Sequence, residues 1–191
     1  MTLQRKLFGL LFALFALSGC SKTDQEVKDL YQDSPGSAVP EILLSGIWFW
    51  GGFGPIAYYN DNGHEVGNET EAARQYVFSE QGGKGRIEFM QYLGLRNSSD
   101  CVTEIFTTKK GTVVFTGSDK LIFYPVEGNF KTTKHGCSGD GTTVRQANKE
   151  ELQPENYLYK LTSWEGKMLL YIYAATDTSM EDPIFVYTRH Q

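Results

Sequence analysis

No stretch of this sequence is long and apolar enough to cross a membrane as a helix. The longest run without a polar side chain, Leu7–Leu17, has eleven residues, against the roughly 20 that a spanning helix needs. Positive charge is also in short supply: 18 Lys and Arg stand against 23 Asp and Glu. That balance argues against a nucleic-acid partner, because phosphate binding needs a basic face. Cysteine occurs only as Cys20, Cys101 and Cys137, and histidine only as His64, His135 and His190. With no CxxC pair and no histidines at ligand spacing, no metal centre is expected. Catalytic signatures are missing as well. There is no G-x-S-x-G elbow, and the glycine-rich Trp50-Gly51-Gly52-Phe53-Gly54-Pro55 lacks the Lys-Ser/Thr of a phosphate loop. Asp61-Asn62-Gly63 falls short of a calcium-loop pattern. Glu88 and Glu104 could serve as a carboxylate pair only by facing each other in a cleft. Both alternate with apolar residues, so both are expected on the solvated side. The chain therefore reads as a non-enzyme with no catalytic residue and no cofactor.

What is present begins at the N-terminus. Arg5 and Lys6 precede the apolar run, and small residues follow it, the order of a cleaved secretory signal. Leu17-Ser18-Gly19-Cys20 resembles the lipobox of bacterial lipoproteins. The resemblance implies cleavage before Cys20, a diacylglycerol on its thiol and acylation of the new amino group. Two acyl chains already give stable anchoring, so the membrane is the first expected partner. Removing residues 1–19 leaves 172 residues, with 16 Lys and Arg against 23 Asp and Glu and a net charge of −7, which suits one soluble monomeric domain. Ser21–Pro40 is charged and broken by Ser, Pro and Gly. Residues 20–40 are therefore expected to be the lipidated Cys and a flexible tether of about 25 Å reach, with a single domain over 41–191. Ser21 is not the Asp that resembles an inner-membrane retention signal, so an outer-membrane address is expected, facing the periplasm or the cell surface. Once Cys20 is acylated, Cys101 and Cys137 remain as an even pair in a compartment that permits disulfides. A bridge would close a loop of about 36 residues, and two free thiols are the alternative.

From Glu41 onward, apolar residues recur at spacing two, in runs rich in Val, Ile, Thr, Tyr and Phe. Strands are expected near 42–50, 55–60, 73–80, 84–93, 101–109, 112–117, 120–127, 142–146, 157–164, 167–174 and 183–189. Asn60–Gly63, Lys110-Gly111, Ser118-Asp119 and Glu165-Gly166 supply turn chemistry between neighbours. Pro125 marks a bulge, an edge or a strand end. Asn148 caps one helical turn over Lys149–Leu152. The expected fold class is all-β, an antiparallel up-and-down meander. Such a meander leaves exposed edges unless it closes into a barrel, and a two-sheet sandwich is the alternative.

Gly46-Ile47-Trp48 at the start of the first body strand, together with Arg189 near the end of the last, resembles the calycin signature of lipocalins and related small-ligand barrels. The resemblance implies that Trp48 fills the barrel floor, that Gly46 gives room beside it, and that Arg189 lies across the Trp ring by cation–π attraction. It also implies a small apolar or amphipathic ligand. The alternative function is a structural or interaction lipoprotein of the outer membrane, whose abundant tyrosines meet a protein or glycan.

Overall fold

A computed structural model describes residues 23–52, 58–59, 65–66, 70–96 and 100–190. Cys20 and the signal sequence lie outside the described residues, as do His64 and most of the strand expected at 55–60. The elements are helix α1 (Asp24–Asp33), a 3-10 turn (Glu41–Leu43), and eleven strands. The strands are β1 (Ile47–Gly51), β2 (Tyr58–Tyr59), β3 (Glu65–Val66), β4 (Thr70–Gln81), β5 (Lys84–Arg96), β6 (Val102–Thr116), β7 (Lys120–His135), β8 (Gly141–Gln146), β9 (Glu155–Trp164), β10 (Lys167–Ala174) and β11 (Phe185–His190).

Eight of these pair antiparallel in the order β1-β4-β5-β6-β7-β9-β10-β11, and β11 pairs back onto β1. This closure makes an up-and-down barrel and rules out an open two-sheet sandwich, because each barrel strand finds a partner on both sides. Two excursions leave the meander. The β2–β3 hairpin forms a sheet of its own, and β8 pairs with the far half of β7, at residues 129–134.

The period-2 pattern fills the barrel with rings. Trp48, Tyr76 and Phe89 are successive cross-strand partners on β1, β4 and β5, and all three are buried with Phe78, Phe123, Leu170, Ile172 and Tyr187. Tyr76 sits 5.3 Å from the Phe89 ring and 5.1 Å from that of Tyr187, within the range of favourable aromatic pairs. One end of the barrel is plugged by the chain before β1. Ser37 bridges two strands, donating its N–H to the Val113 carbonyl (3.0 Å) and accepting from the Gly85 N–H (2.7 Å). Beyond it Val39 and Leu43 are buried in the core. The Leu43 carbonyl accepts the Trp48 indole N–H at 3.2 Å, so the largest buried ring leaves no polar atom unpaired.

Three expectations are corrected. Residues 24–40 are not a free tether. The Thr23 hydroxyl accepts from the Glu26 N–H while the Glu26 carboxylate accepts from the Thr23 N–H, a reciprocal cap that also puts acids at the positive helix end. The resulting helix has no buried residue. It is held to the outer wall by Tyr31, whose hydroxyl donates to Glu127 (3.2 Å) and whose ring lies 4.2 Å from the Arg86 guanidinium. Lys84 fixes its C-terminal end through the carbonyls of Gln32 and Ser34, at 2.6 and 2.9 Å.

Lys110-Gly111 is not a hairpin turn either. β6 runs straight through it, and the register against β7 shifts there, with Gly111 opposite Pro125 and Lys110 opposite Glu127. Val126 is the extra residue of a bulge. Gly111 is required because a Cβ at that position would run into the Tyr124 carbonyl. Finally, residues 42–46 do not extend the first strand, which begins at Ile47 after the 3-10 turn. The turn expected after Asn148 is present: its side chain accepts from the Glu151 N–H, and Glu151 accepts from the Asn148 N–H, both at 2.9 Å.

Candidate functional site

The barrel interior is the natural place for a site, and its residues sort into two layers. The floor contains the three signature residues. Gly46 has φ +84°, and a Cβ there would collide with the His190 carbonyl, so only glycine lets β1 approach the end of β11 this closely. Trp48 is fully buried. Arg189 is its cross-strand partner, but the guanidinium donates to the Ser45 hydroxyl at 3.0 Å. Among the described residues no cation–π contact joins Arg189 to Trp48. The structure thus brings Gly46, Trp48 and Arg189 together where β1 meets β11.

The next layer is polar. Register puts Arg74 beside Trp50, one inward position along from the Trp48–Tyr76 pair. Lys109 lies opposite Phe89 and Glu155 opposite Phe123, so both share the inward face. Lys109 Nζ meets Glu155 Oε1 at 2.7 Å, with side chains only 15% and 23% exposed. The other carboxylate oxygen accepts from the Tyr157 hydroxyl at 3.0 Å. Such shielding strengthens a charge-assisted bond relative to one in water. Glu155 is therefore fully engaged.

Arg74 is not engaged in this way. Its guanidinium carbon lies 4.0 Å from the Phe185 ring centroid and 5.6 Å from that of Phe89. Among the described residues no carboxylate forms an ion pair with it. Beside it the Tyr187 hydroxyl is buried and makes no hydrogen bond of acceptable geometry among the described residues. Burial pushes the Tyr187 phenol up to about 12, with the nearby Arg74 charge pulling the other way. Burial likewise raises Tyr76, and burial with the Glu155 charge raises Tyr157. All three are neutral hydroxyls at ordinary pH, and that of Tyr157 is already donated to Glu155. Trp50 and Phe185, with centroids 5.0 Å apart, supply the apolar side of the same region.

The sequence reading singled out none of Arg74, Lys109, Glu155 and Tyr157. The signal was nevertheless present. Arg74 shares strand parity with Tyr76 and Phe78, as Glu155 does with Tyr157, Tyr159 and Leu161, so each charge falls on a row that is otherwise aromatic or apolar.

The remaining candidates lie elsewhere. Glu88 is exposed and pairs with Lys110 at 3.2 Å. Glu104 accepts from the Tyr92 hydroxyl at 3.3 Å and lies 3.5 Å from His135. The two do not form a facing pair. Cys101 and Cys137 are bridged, with Cα atoms 4.5 Å apart, where β6 begins and β7 has just ended. This is the far end of the β6–β7 ribbon, away from the floor. Among the described residues no group of three or more His, Cys, Asp or Glu could hold a metal ion. Comparison of the chain with family models, with curated proteins and with solved structures finds no match, so the functional reading has to come from this interior.

Proposed function

We propose that the protein is a lipid-anchored, extracytoplasmic, lipocalin-like barrel that binds a small amphipathic ligand in the half of its interior away from Trp48. The observation that carries this reading is the contrast between the two layers. A floor packed with rings is stable by itself, whereas a second layer holding Arg74, Lys109, Glu155 and Tyr157 among Trp50 and Phe185 has both charge and apolar surface to offer. Small-ligand sites combine an apolar lining with a few fixed polar groups in this way. Because rings fill the floor, the ligand is amphipathic and not purely apolar.

The lipobox-like Leu17-Ser18-Gly19-Cys20 supports the anchor. Helix α1 starts at Asp24 and docks on the barrel wall. Only residues 20–23 then separate an acylated Cys20 from the helix, a reach of about 13 Å. On this reading the barrel rides close to the headgroups.

Native mass spectrometry of the full chain, extracted in detergent from its own host, tests both parts. The expected spectrum shows loss of residues 1–19, a lipid mass on Cys20 and a retained small molecule. A bare polypeptide without a small-molecule adduct counts against binding, and an unmodified Cys20 counts against anchoring.

A further inference from the structure

We propose that the free edge of β8 is a self-association site, to which β8 of a second copy of this chain adds antiparallel, centred on Val144. β8 is the last strand of the nine-stranded sheet: β7 covers one of its edges, and among the described residues no strand pairs with the other. All six of its residues are exposed. The acidic composition suits a monomer, yet this strand lacks the devices that keep an edge from pairing. It has no proline and no lysine, and its register against β7 runs without a bulge. Its one charge is already engaged. Arg145 lies over the Phe130 ring at 4.1 Å and donates to both carboxylate oxygens of Glu151, at 2.7 and 2.8 Å.

The ladder decides which backbone groups the edge offers. The Ala147 N–H donates to the Gly128 carbonyl at 2.9 Å, in register with the pairs that run from Asn129–Gln146 to Lys134–Gly141. In an antiparallel pair, residues that bond the neighbour alternate with residues whose N–H and C=O point away from it. Gly141, Thr143 and Arg145 therefore bond β7, and Thr142, Val144 and Gln146 face outward. The Gln146 carbonyl also accepts a 3.4 Å contact from the Arg145 guanidinium, and it has a second lone pair to give. Three N–H and three C=O groups at alternate positions are what an added strand takes up.

A second β8 fits this edge by symmetry. With Val144 opposite Val144 of the second copy, Thr142 meets Gln146 and Gln146 meets Thr142, so every outward group is bonded across an isologous contact. On the other face Arg145 stands opposite Thr143 of the second copy, and no like charges meet. The two Val144 side chains, each 64% exposed in the single chain, close on each other at the axis. A strand of unrelated sequence has no such built-in match of register and charge. The site lies on the ribbon, outside the barrel interior, and holds whether or not a ligand is bound.

The test places a thiol on the axis of the full chain made in its own host, with Cys101 and Cys137 bridged to each other. Val144→Cys sets two thiols on facing residues, about 5.5 Å apart between Cα atoms, within the span of a disulfide. Thr142→Cys is also exposed but lies four residues from its counterpart, about 14 Å away. Mild oxidation before extraction should give a disulfide-linked dimer several-fold more abundantly from Val144→Cys than from Thr142→Cys, with the unsubstituted chain as the background from Cys20. Adding Gln146→Pro to Val144→Cys removes an N–H that points away from β7, so the β7–β8 ladder keeps its bonds. Crosslinking should then fall to the Thr142→Cys level, while the circular dichroism melt shows that the barrel persists. Equal crosslinking from the two cysteines, or none above background, overturns the proposal. A Val144→Cys product whose mass contains a different polypeptide overturns it too, in favour of a strand from another protein.

Discussion

Gly46 and Gly82 show how differently two glycines of similar backbone shape can matter. Both have positive φ, +84° and +61°, but a Cβ on Gly46 would strike the His190 carbonyl whereas one on Gly82 meets nothing within 4 Å. The left-handed conformation alone costs a non-glycine residue about 1–2 kcal/mol, and overpacking adds about 1–3 kcal/mol. Gly46→Ala is therefore expected to destabilise by about 2–5 kcal/mol and Gly82→Ala by about 1–2 kcal/mol, compared as urea midpoints at constant slope. Equal losses would mean that the close approach of β1 to β11 is unimportant. At this scale the sequence was readable where a residue has a local signature, and Gly46, Trp48 and Arg189 do meet. It was unreadable where a role depends on partners far along the chain. Lys109 and Glu155 are 46 residues apart, and nothing local announces that they pair. The stacking expected of Arg189 gave way to a hydroxyl, because Ser45 stands within hydrogen-bond reach of the guanidinium.

Helix α1 and the β6–β7 pair show what an element's sequence conveys and what it hides. Residues 20–40 were expected to be a tether, because the only apolar stripe in the segment is the short Val27, Leu30 and Tyr31 set, and none of it is buried in the ten-residue helix. Isolated helices of that length are marginal in water, so the docking residue decides whether α1 exists. Tyr31 is that residue, through Glu127 and Arg86. Tyr31→Ala is expected to raise amide exchange across Asp24–Asp33 towards that of a free peptide. The barrel's own unfolding midpoint should stay within about 0.5 kcal/mol, as for a surface change remote from the core. Unchanged protection of the helix amides would show that Lys84 and the reciprocal cap suffice without Tyr31. In β6, Lys110-Gly111 carried turn chemistry at the sequence level, yet a bulge needs glycine for the same reason a turn does, namely tight backbone passage. Strand alternation on both sides read equally well as two short strands or one long one. Only the pairing of Lys110 with Glu127 and Gly111 with Pro125 distinguishes them.

Taken whole, the molecule consists of a barrel that satisfies all its own edges and a ribbon that does not. The outer halves of β4, β5, β6 and β7 run on together, β5 pairing with β6 as far as Arg96 opposite Val102, and β8 lies along the edge of β7, exposed along its entire length. The Cys101–Cys137 bridge ties off that ribbon across 36 residues, just where neighbouring barrel strands give out. In the chain-entropy view a loop of this size restricts the unfolded state by about 4 kcal/mol. The Cys101→Ser/Cys137→Ser double variant is expected to lose about 3–4 kcal/mol of global stability by urea unfolding. Its barrel interior should be untouched, because Arg74, Tyr187 and Glu155 make their contacts inside the barrel, so the small molecule retained from the host should match that of the unsubstituted protein. The magnitude of the stability change also reports on cooperativity. A loss near 4 kcal/mol means that ribbon and barrel unfold as one unit, since only then does the crosslink restrain the state against which stability is measured. A loss below about 1 kcal/mol, with fast amide exchange confined to residues 129–146, would mean that the ribbon opens by itself below the global transition and that the bridge serves it alone.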